Sequence, residues 1–97
     1  MSYQIKQTEI FEAWHLGLRD LHTKMAIHKR IERAGAGNLG LVKLLGDDVS
    51  EMKIDLGPGY RLYFTLRGKT VVFLLCGGDK STQKADIKLA KKLAKEL

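Results

Sequence analysis

A period-two alternation from Ser50 to Arg67, interrupted once by Gly57-Pro58-Gly59, constrains this chain more than any other feature. In the first run Met52, Ile54 and Leu56 share one face, and Glu51, Lys53 and Asp55 share the other. After the interruption Tyr60, Leu62, Phe64 and Leu66 face one way, and Arg61, Tyr63, Thr65 and Arg67 the other. Successive side chains of a strand point to opposite faces, so both runs are expected to be half-buried antiparallel strands. A third run, Val71 to Cys76, is apolar on both faces, which predicts a strand inside the sheet. It closes on a polar, glycine-rich loop at 77–83.

The rest of the chain supplies helices and shorter strands. Residues 3–7 read as a first strand, with Tyr3 and Ile5 inward. Thr8 is a helix N-cap candidate, and Glu9 and Glu12 in the first turn suit the helix dipole. Ile10, Phe11, Trp14, Leu18 and Leu21 then recur at helical spacing as a buried stripe. Asp20 is placed to cap a second helix from Leu21 to about Ala34. Leu21, Met25, Ile27 and Ile31 form its apolar side, Lys24, His28, Lys29, Arg30 and Arg33 its basic side, and Gly35 and Gly37 its end. Residues 41–45 read as another strand, followed by a turn at Gly46-Asp47-Asp48. Ser81 or Thr82 is expected to cap a C-terminal helix whose apolar face is Ile87, Ala90, Leu93, Ala94 and Leu97. The expected architecture is α+β: a twisted antiparallel sheet of about four to five strands, with two N-terminal helices packed on it and a C-terminal helix.

Ninety-seven residues with a hydrophobic fraction of 44% suffice for one domain with a modest core, so residues 1–97 are expected to form a single domain. No apolar run is long enough to span a bilayer, and the N-terminus lacks a signal-peptide h-region; a cytoplasmic location with no membrane partner is expected. Cys76 is the lone cysteine, and no Cys/His cluster has metal-ligand spacing, so neither metal nor other cofactor is expected. The net charge of +6 points to a polyanionic partner, nucleic acid or acidic protein.

If Gly57-Pro58-Gly59 closes a hairpin with residues 56 and 60 opposed, Asp55 faces Arg61 and Lys53 faces Tyr63. A two-residue turn at Gly68-Lys69 would then set Cys76 beside Arg61. Lys53, Asp55, Arg61, Tyr63, Asp79 and Lys80 thereby gather in one region. Cleavage of RNA by its own 2′-hydroxyl needs a proton acceptor, a proton donor and cations on the phosphorane-like transition state. Arg61 suits the last role, since a guanidinium holds two phosphate oxygens at once, and Lys53 and Lys80 add phosphate contacts. The structural alternative is a cross-strand ion pair between Asp55 and Arg61, a packed Tyr63 and a plain turn at 77–80. His15, His22 and His28 all lie in the helical region and are not expected to serve the sheet surface.

The runs Gly57-Pro58-Gly59-Tyr60-Arg61-Leu62-Tyr63-Phe64 and Gly77-Gly78-Asp79-Lys80-Ser81-Thr82-Gln83, together with Gly37-Asn38-Leu39-Gly40, resemble the RelE/ParE superfamily of bacterial toxins. Within it they are similar to the addiction-module killer proteins, close to HigB-type toxins. The resemblance implies the toxin of a type II toxin–antitoxin pair, partnered by a cognate antitoxin of the helix-turn-helix, HigA-like kind. It implies a ribosome-dependent endoribonuclease acting on mRNA without metal, or alternatively a ParE-type inhibitor of DNA gyrase with no nuclease activity.

In the mRNA-cutting relatives the arginine of the Gly-Tyr-Arg-Leu run contributes to catalysis, and Arg61 occupies that position. A lysine in the preceding strand falls on Lys53. The relatives' second lysine falls on Asp55, and a further arginine falls near Asp79 or Lys80. The tyrosine or histidine they carry close to the C-terminus has no counterpart after residue 80, and Glu51 and Asp79 are the stand-ins for that general acid; Tyr63 and Asp79 join Lys53, Arg61 and Lys80 as the expected catalytic residues. Contacts to RNA or ribosome are expected from Lys43, Lys53, Arg61, Arg67 and Lys80, and from Lys29, Arg30 and Arg33 on the second helix.

Overall fold

The computed structural model describes residues 2–97. They run β1 (Gln4–Gln7), α1 (Glu9–Leu16), α2 (Leu21–Gly35), β2 (Val42–Gly46), β3 (Val49–Ile54), β4 (Tyr60–Arg67) and β5 (Val71–Gly78). A 3-10 turn (Lys80–Thr82) then leads into α3 (Gln83–Lys95). The strands form one sheet in the order β1-β5-β4-β3-β2. Strands β2 to β5 pair antiparallel in sequence, while β1 lies parallel to β5. The sheet is therefore mixed, with the expected apolar run at β5 flanked by strands on both sides.

Each face of the sheet carries its own core. On one, Phe11 and Ile27 of the helical hairpin pack on Met52, Leu62, Phe64, Val72 and Leu74. On the other, Ala90 of α3 packs on Val49, Tyr63, Leu75 and Cys76, with Ile87, Leu93 and Ala94 beside it. Because α3 covers the second face, residues 61 to 65 of β4 are all buried, rather than buried and exposed by turns. Leu97, assigned from spacing to the apolar face of α3, is exposed.

The helices start where their caps dictate. Thr8 Oγ1 accepts from the Phe11 N–H and donates to the Leu75 carbonyl at 2.6 Å, so one hydroxyl both caps α1 and ties it to β5. Asp20 caps α2, accepting from the His22 N–H and the Thr23 hydroxyl. These bonds hold the Asp20 carboxyl below the usual range. The inward stripe of α2 is Thr23, Ile27 and Ala34, with Ile31 packed beside it. Leu21 and Met25 fall outside that stripe and are exposed, as is Ile10 on α1, contrary to the expected apolar faces. The 3-10 turn is capped by Asp79; Thr82 holds the N-cap position of α3 without a side-chain capping bond.

Candidate active site

The register of β3, β4 and β5 decides which side chains meet. Ile54 pairs with Tyr60, so the connecting loop is five residues, 55–59, and not three. Lys53 therefore stands directly opposite Arg61, and Glu51 opposite Tyr63. The expected pairs, Asp55 with Arg61 and Lys53 with Tyr63, are both displaced by this longer loop. The β4–β5 turn likewise takes three residues, opposing Arg67 to Val71, and a bulge at Tyr63/Phe64 shifts the ladder again. Cys76 consequently faces Tyr63, and Gly78 faces Arg61. A Cβ at Gly78 would run into the Asp86 carboxylate, which accepts from the Thr82 hydroxyl.

Arg61 is held from two sides. Its Nη1 donates to the Gly59 carbonyl at 2.7 Å, pinning the guanidinium to the loop. Its Nε lies 3.6 Å from Glu51 Oε1, and the two side chains are only 8% and 6% exposed. Gln83, the first residue of α3, donates from Nε2 to the same Glu51 oxygen at 3.2 Å. At 3.6 Å the Arg61–Glu51 contact is an ion pair and not a hydrogen bond, so Nε has no hydrogen-bond partner.

In front of Arg61 lies a cleft of about 340 Å³, walled by the 55–59 loop, Lys53 and Lys80. Lys53 and Asp55 lie 3.4 Å apart at its mouth, both solvated. Lys80 is exposed on the opposite rim and forms no ion pair among the described residues. Two cations and a clamped guanidinium thus converge on one opening, with Asp55 as its carboxylate.

The other site candidates are placed differently. Tyr63 is buried beneath α3, and its hydroxyl has no partner. Burial, with the nearby Glu51 and Asp86 charges, raises its pKa above the usual phenol value. It does not line the cleft. Glu51 points under α3 and serves Arg61, away from solvent. Asp79 accepts from the Ser81 hydroxyl and N–H, which lowers its pKa, and acts as a cap. Arg67 Nη2 donates to the Ala94 carbonyl at the far end of the sheet, closing the last turn of α3. Lys43 stands on β2 opposite Glu51 and lines no part of the cleft.

Lys29, Arg30 and Arg33 do approach the site. They line a second cleft of about 360 Å³ that shares Lys53 and Asp55 with the first. The histidines lie elsewhere: His15 Nε2 contacts the Lys24 carbonyl, and His28 pairs with Glu32. Among the described residues no group of three or more His, Cys, Asp or Glu could hold a metal ion, and no helix is long and apolar enough to cross a membrane. Gln83 was not foreseen as part of the site. Its sequence signal is its place as the last residue of the Gly77–Gln83 run.

A mixed sheet with two N-terminal helices on one face and one C-terminal helix on the other is a fold shared with a known toxin structure. The structure superimposes on that of an arginine-to-alanine mutant of E. coli toxin RelE in the free state with a TM-score of 0.72. The match covers 95% of this chain and 98% of that one at 22% identity, and so shows a shared fold. Residues 20–96 match the family "Phage derived protein Gp49-like (DUF891)", and the chain belongs to that family, a family of RelE-like toxins. It is also 48% identical over 97 residues to an uncharacterized protein of Haemophilus influenzae (strain ATCC 51907 / DSM 11121 / KW20 / Rd), covering 100% of this chain and 98% of that protein. Membership of a RelE-like toxin family carries with it an antitoxin as partner.

Proposed function

We propose that this toxin cleaves mRNA on the ribosome, with the Arg61 cleft as its active site. The observation that carries the reading is the direct pairing of Lys53 with Arg61 across β3 and β4, with Lys80 on the facing rim of an open cleft. The scissile phosphate sits against Arg61, whose charge, with that of Lys80, stabilises the extra negative charge of the phosphorane-like transition state. Asp55, the carboxylate of the cleft, takes the proton from the 2′-hydroxyl. The 2′-oxygen bonds to phosphorus as the bond to the 5′-oxygen breaks, leaving a 2′,3′-cyclic phosphate. Lys53 delivers a proton to the departing 5′-oxygen. The cleft holds only a short stretch of RNA, and the ribosome presents the codon to it. The antitoxin, a helix-turn-helix protein of the HigA-like kind, neutralises the toxin by laying acidic and apolar residues over this basic surface.

One observation favours a second reading. Tyr63 is sealed under α3 and no tyrosine or histidine follows residue 80, so the cleft lacks an aromatic proton donor. A gyrase-binding toxin without nuclease activity needs none. A purified translation system with a defined message and mapped RNA ends separates the two. Cuts at the A-site codon that require ribosomes, Arg61 and Lys80 are expected. Lys80→Ala is the informative variant beside Arg61→Ala, because Lys80 is exposed and its loss leaves the fold intact. Intact message alongside toxicity in cells would refute cleavage and direct the test to gyrase supercoiling.

A further inference from the structure

Helix α2 brings Lys29, Arg30 and Arg33 to one cleft, and none of the three lies within ion-pair distance of an acidic group among the described residues. The one carboxylate that lines this cleft, Asp55, lies 3.4 Å from Lys53, so the three cations of α2 stand together and repel. Arg30 is the most committed of them. Its guanidinium rests against Gly40, whose φ of +68° already favours glycine, and a Cβ at that position would overlap it. The loop is fixed there by the Gly40 N–H, which donates to Asn38 Oδ1 at 3.0 Å. One face of the guanidinium is thereby seated on backbone, and its Nη1 is buried with no protein partner. Burial, with the Arg33 charge second, lowers the Arg30 pKa. A cation held this way adds its charge to those of the exposed Lys29 and Arg33, and together they favour an anion at the mouth of the cleft.

The lining of the cleft says which anion. Four cations, Lys29, Arg30, Arg33 and Lys53, line it with one carboxylate, Asp55, and only two apolar residues, Ala26 and Ile54. The exposed apolar residues of α2, Leu21 and Met25, are not among its lining, so an acidic helix laid here would find few anchors. Lys53 and Asp55 belong to both clefts, which puts the second beside the first at the C-terminal end of β3. We propose that the Lys29–Arg30–Arg33 cleft is a second phosphodiester subsite, holding the RNA backbone beside the scissile position, with Lys29 and Arg33 as its exposed contacts and Arg30 as the seated charge between them. The proposal rests on the reading of the Arg61 cleft as the RNA-cleaving site.

The test uses a fully 2′-O-methylated hexanucleotide, which lacks the nucleophile and is not cut. Its binding to the full chain is followed by fluorescence anisotropy between about 50 and 200 mM salt, the range over which phosphate contacts declare themselves. Arg33→Gln and Arg30→Gln are each expected to weaken binding and to make the slope of log K against log salt shallower by about 0.7, one phosphate contact on a single strand. Arg30→Lys keeps the charge and therefore the slope, and loses affinity because an ammonium cannot reproduce the packing of the guanidinium on Gly40. Lys80→Gln reports on the first cleft, and Lys88→Gln on α3 is the control expected to match wild type.

Arg33 is exposed, so its variant folds whatever becomes of Arg30, and circular dichroism checks each chain. Arg30 and Arg33 variants that bind like wild type while Lys80→Gln binds more weakly would overturn the subsite and spare the cleft. Loss in the α2 variants with none in Lys80→Gln would count against the cleft itself and end the two-subsite proposal. No binding by wild type at the lowest salt overturns the subsite too. So does displacement of the oligonucleotide by polyglutamate more readily than by polyuridylate, which would mark an acidic protein as the ligand.

Discussion

The contact most open to refutation is the buried pair that holds Arg61. Glu51 and Arg61 are both almost wholly enclosed at 3.6 Å, and Gln83 adds a hydrogen bond from α3. At an effective dielectric constant of about 20, two unit charges at that separation attract by about 4–5 kcal/mol, before the cost of desolvating both. The pair as a whole therefore contributes little net stability, but removing one partner strands the other charge. That loss is about 3–5 kcal/mol for a buried pair. Glu51→Gln keeps the shape, and its amide oxygen still accepts from Gln83, so the substitution isolates the charge; a loss of about 3 kcal/mol is expected.

With a urea m-value of about 1.5 kcal/mol/M, the unfolding midpoint falls by about 2 M. The decisive assay is a double-mutant cycle of Glu51→Gln, Arg61→Gln and both together. The double variant should recover about 1–3 kcal/mol relative to the sum of the singles. Additive effects, or a Glu51→Gln midpoint within about 0.5 M of wild type, would show that the two side chains do not depend on each other, and the clamp on Arg61 would have to be abandoned.

Two further predictions follow from single hydroxyl and thiol groups. Thr8→Ala removes the cap of α1 and its tie to β5 together, and should cost about 1–2 kcal/mol. Differential scanning calorimetry would read this as a Tm lower by about 4–8 °C for each kcal/mol. Burial, with the Asp86 charge second, pushes the Cys76 thiol from its ordinary 9.0 up to about 12. The unfolded chain ionises first, so the contribution of this group is fully present below pH 9.0 and is lost as pH rises towards about 12. Urea midpoints should therefore fall across that interval, and less steeply in Cys76→Ala; parallel curves for the two proteins would contradict the assignment.

Strands, caps and helices were legible in the sequence because each is written in local chemistry. Period-two alternation marked β3 and β4, unbroken apolarity marked β5, and Thr8 and Asp20 announced the helix starts they make. Pairing was less legible. The glycines at 57 and 59 both adopt positive φ, as a turn there requires, yet the loop extends to Asp55 and Leu56 and so moves every cross-strand partner by two residues in sum. The bulge at Tyr63/Phe64 has no local marker at all. It inserts Leu75 so that β5 can present Leu74 to one core and Leu75 with Cys76 to the other. Lys53, Arg61 and Lys80 still meet, since alternation alone keeps Lys53 and Arg61 on one face. Tyr63 shares that face and is lost from the cleft because a helix covers it.

That covering helix explains where the site can be. A sheet whose two faces both carry Val, Leu and aromatic side chains must be roofed on both, so α3 has to lie on the very face that displays Arg61. Its first residue, Gln83, reaches Glu51, and the row Glu51–Tyr63–Cys76 is sealed beneath it. The next row towards the loop, Lys53–Arg61–Gly78, lies at the start of the helix, and there the sheet opens to solvent. Gly78 lets the start of α3 pack close on the strand, since a Cβ there would meet the Asp86 carboxylate, and the turn that begins α3 sets Lys80 on the rim of the opening. The cleft is thus the gap between the end of a necessary roof and the end of the strands beneath it. Arg61 sits at that boundary, buried enough to be held by Glu51 and near enough to the edge to present its guanidinium to a phosphate.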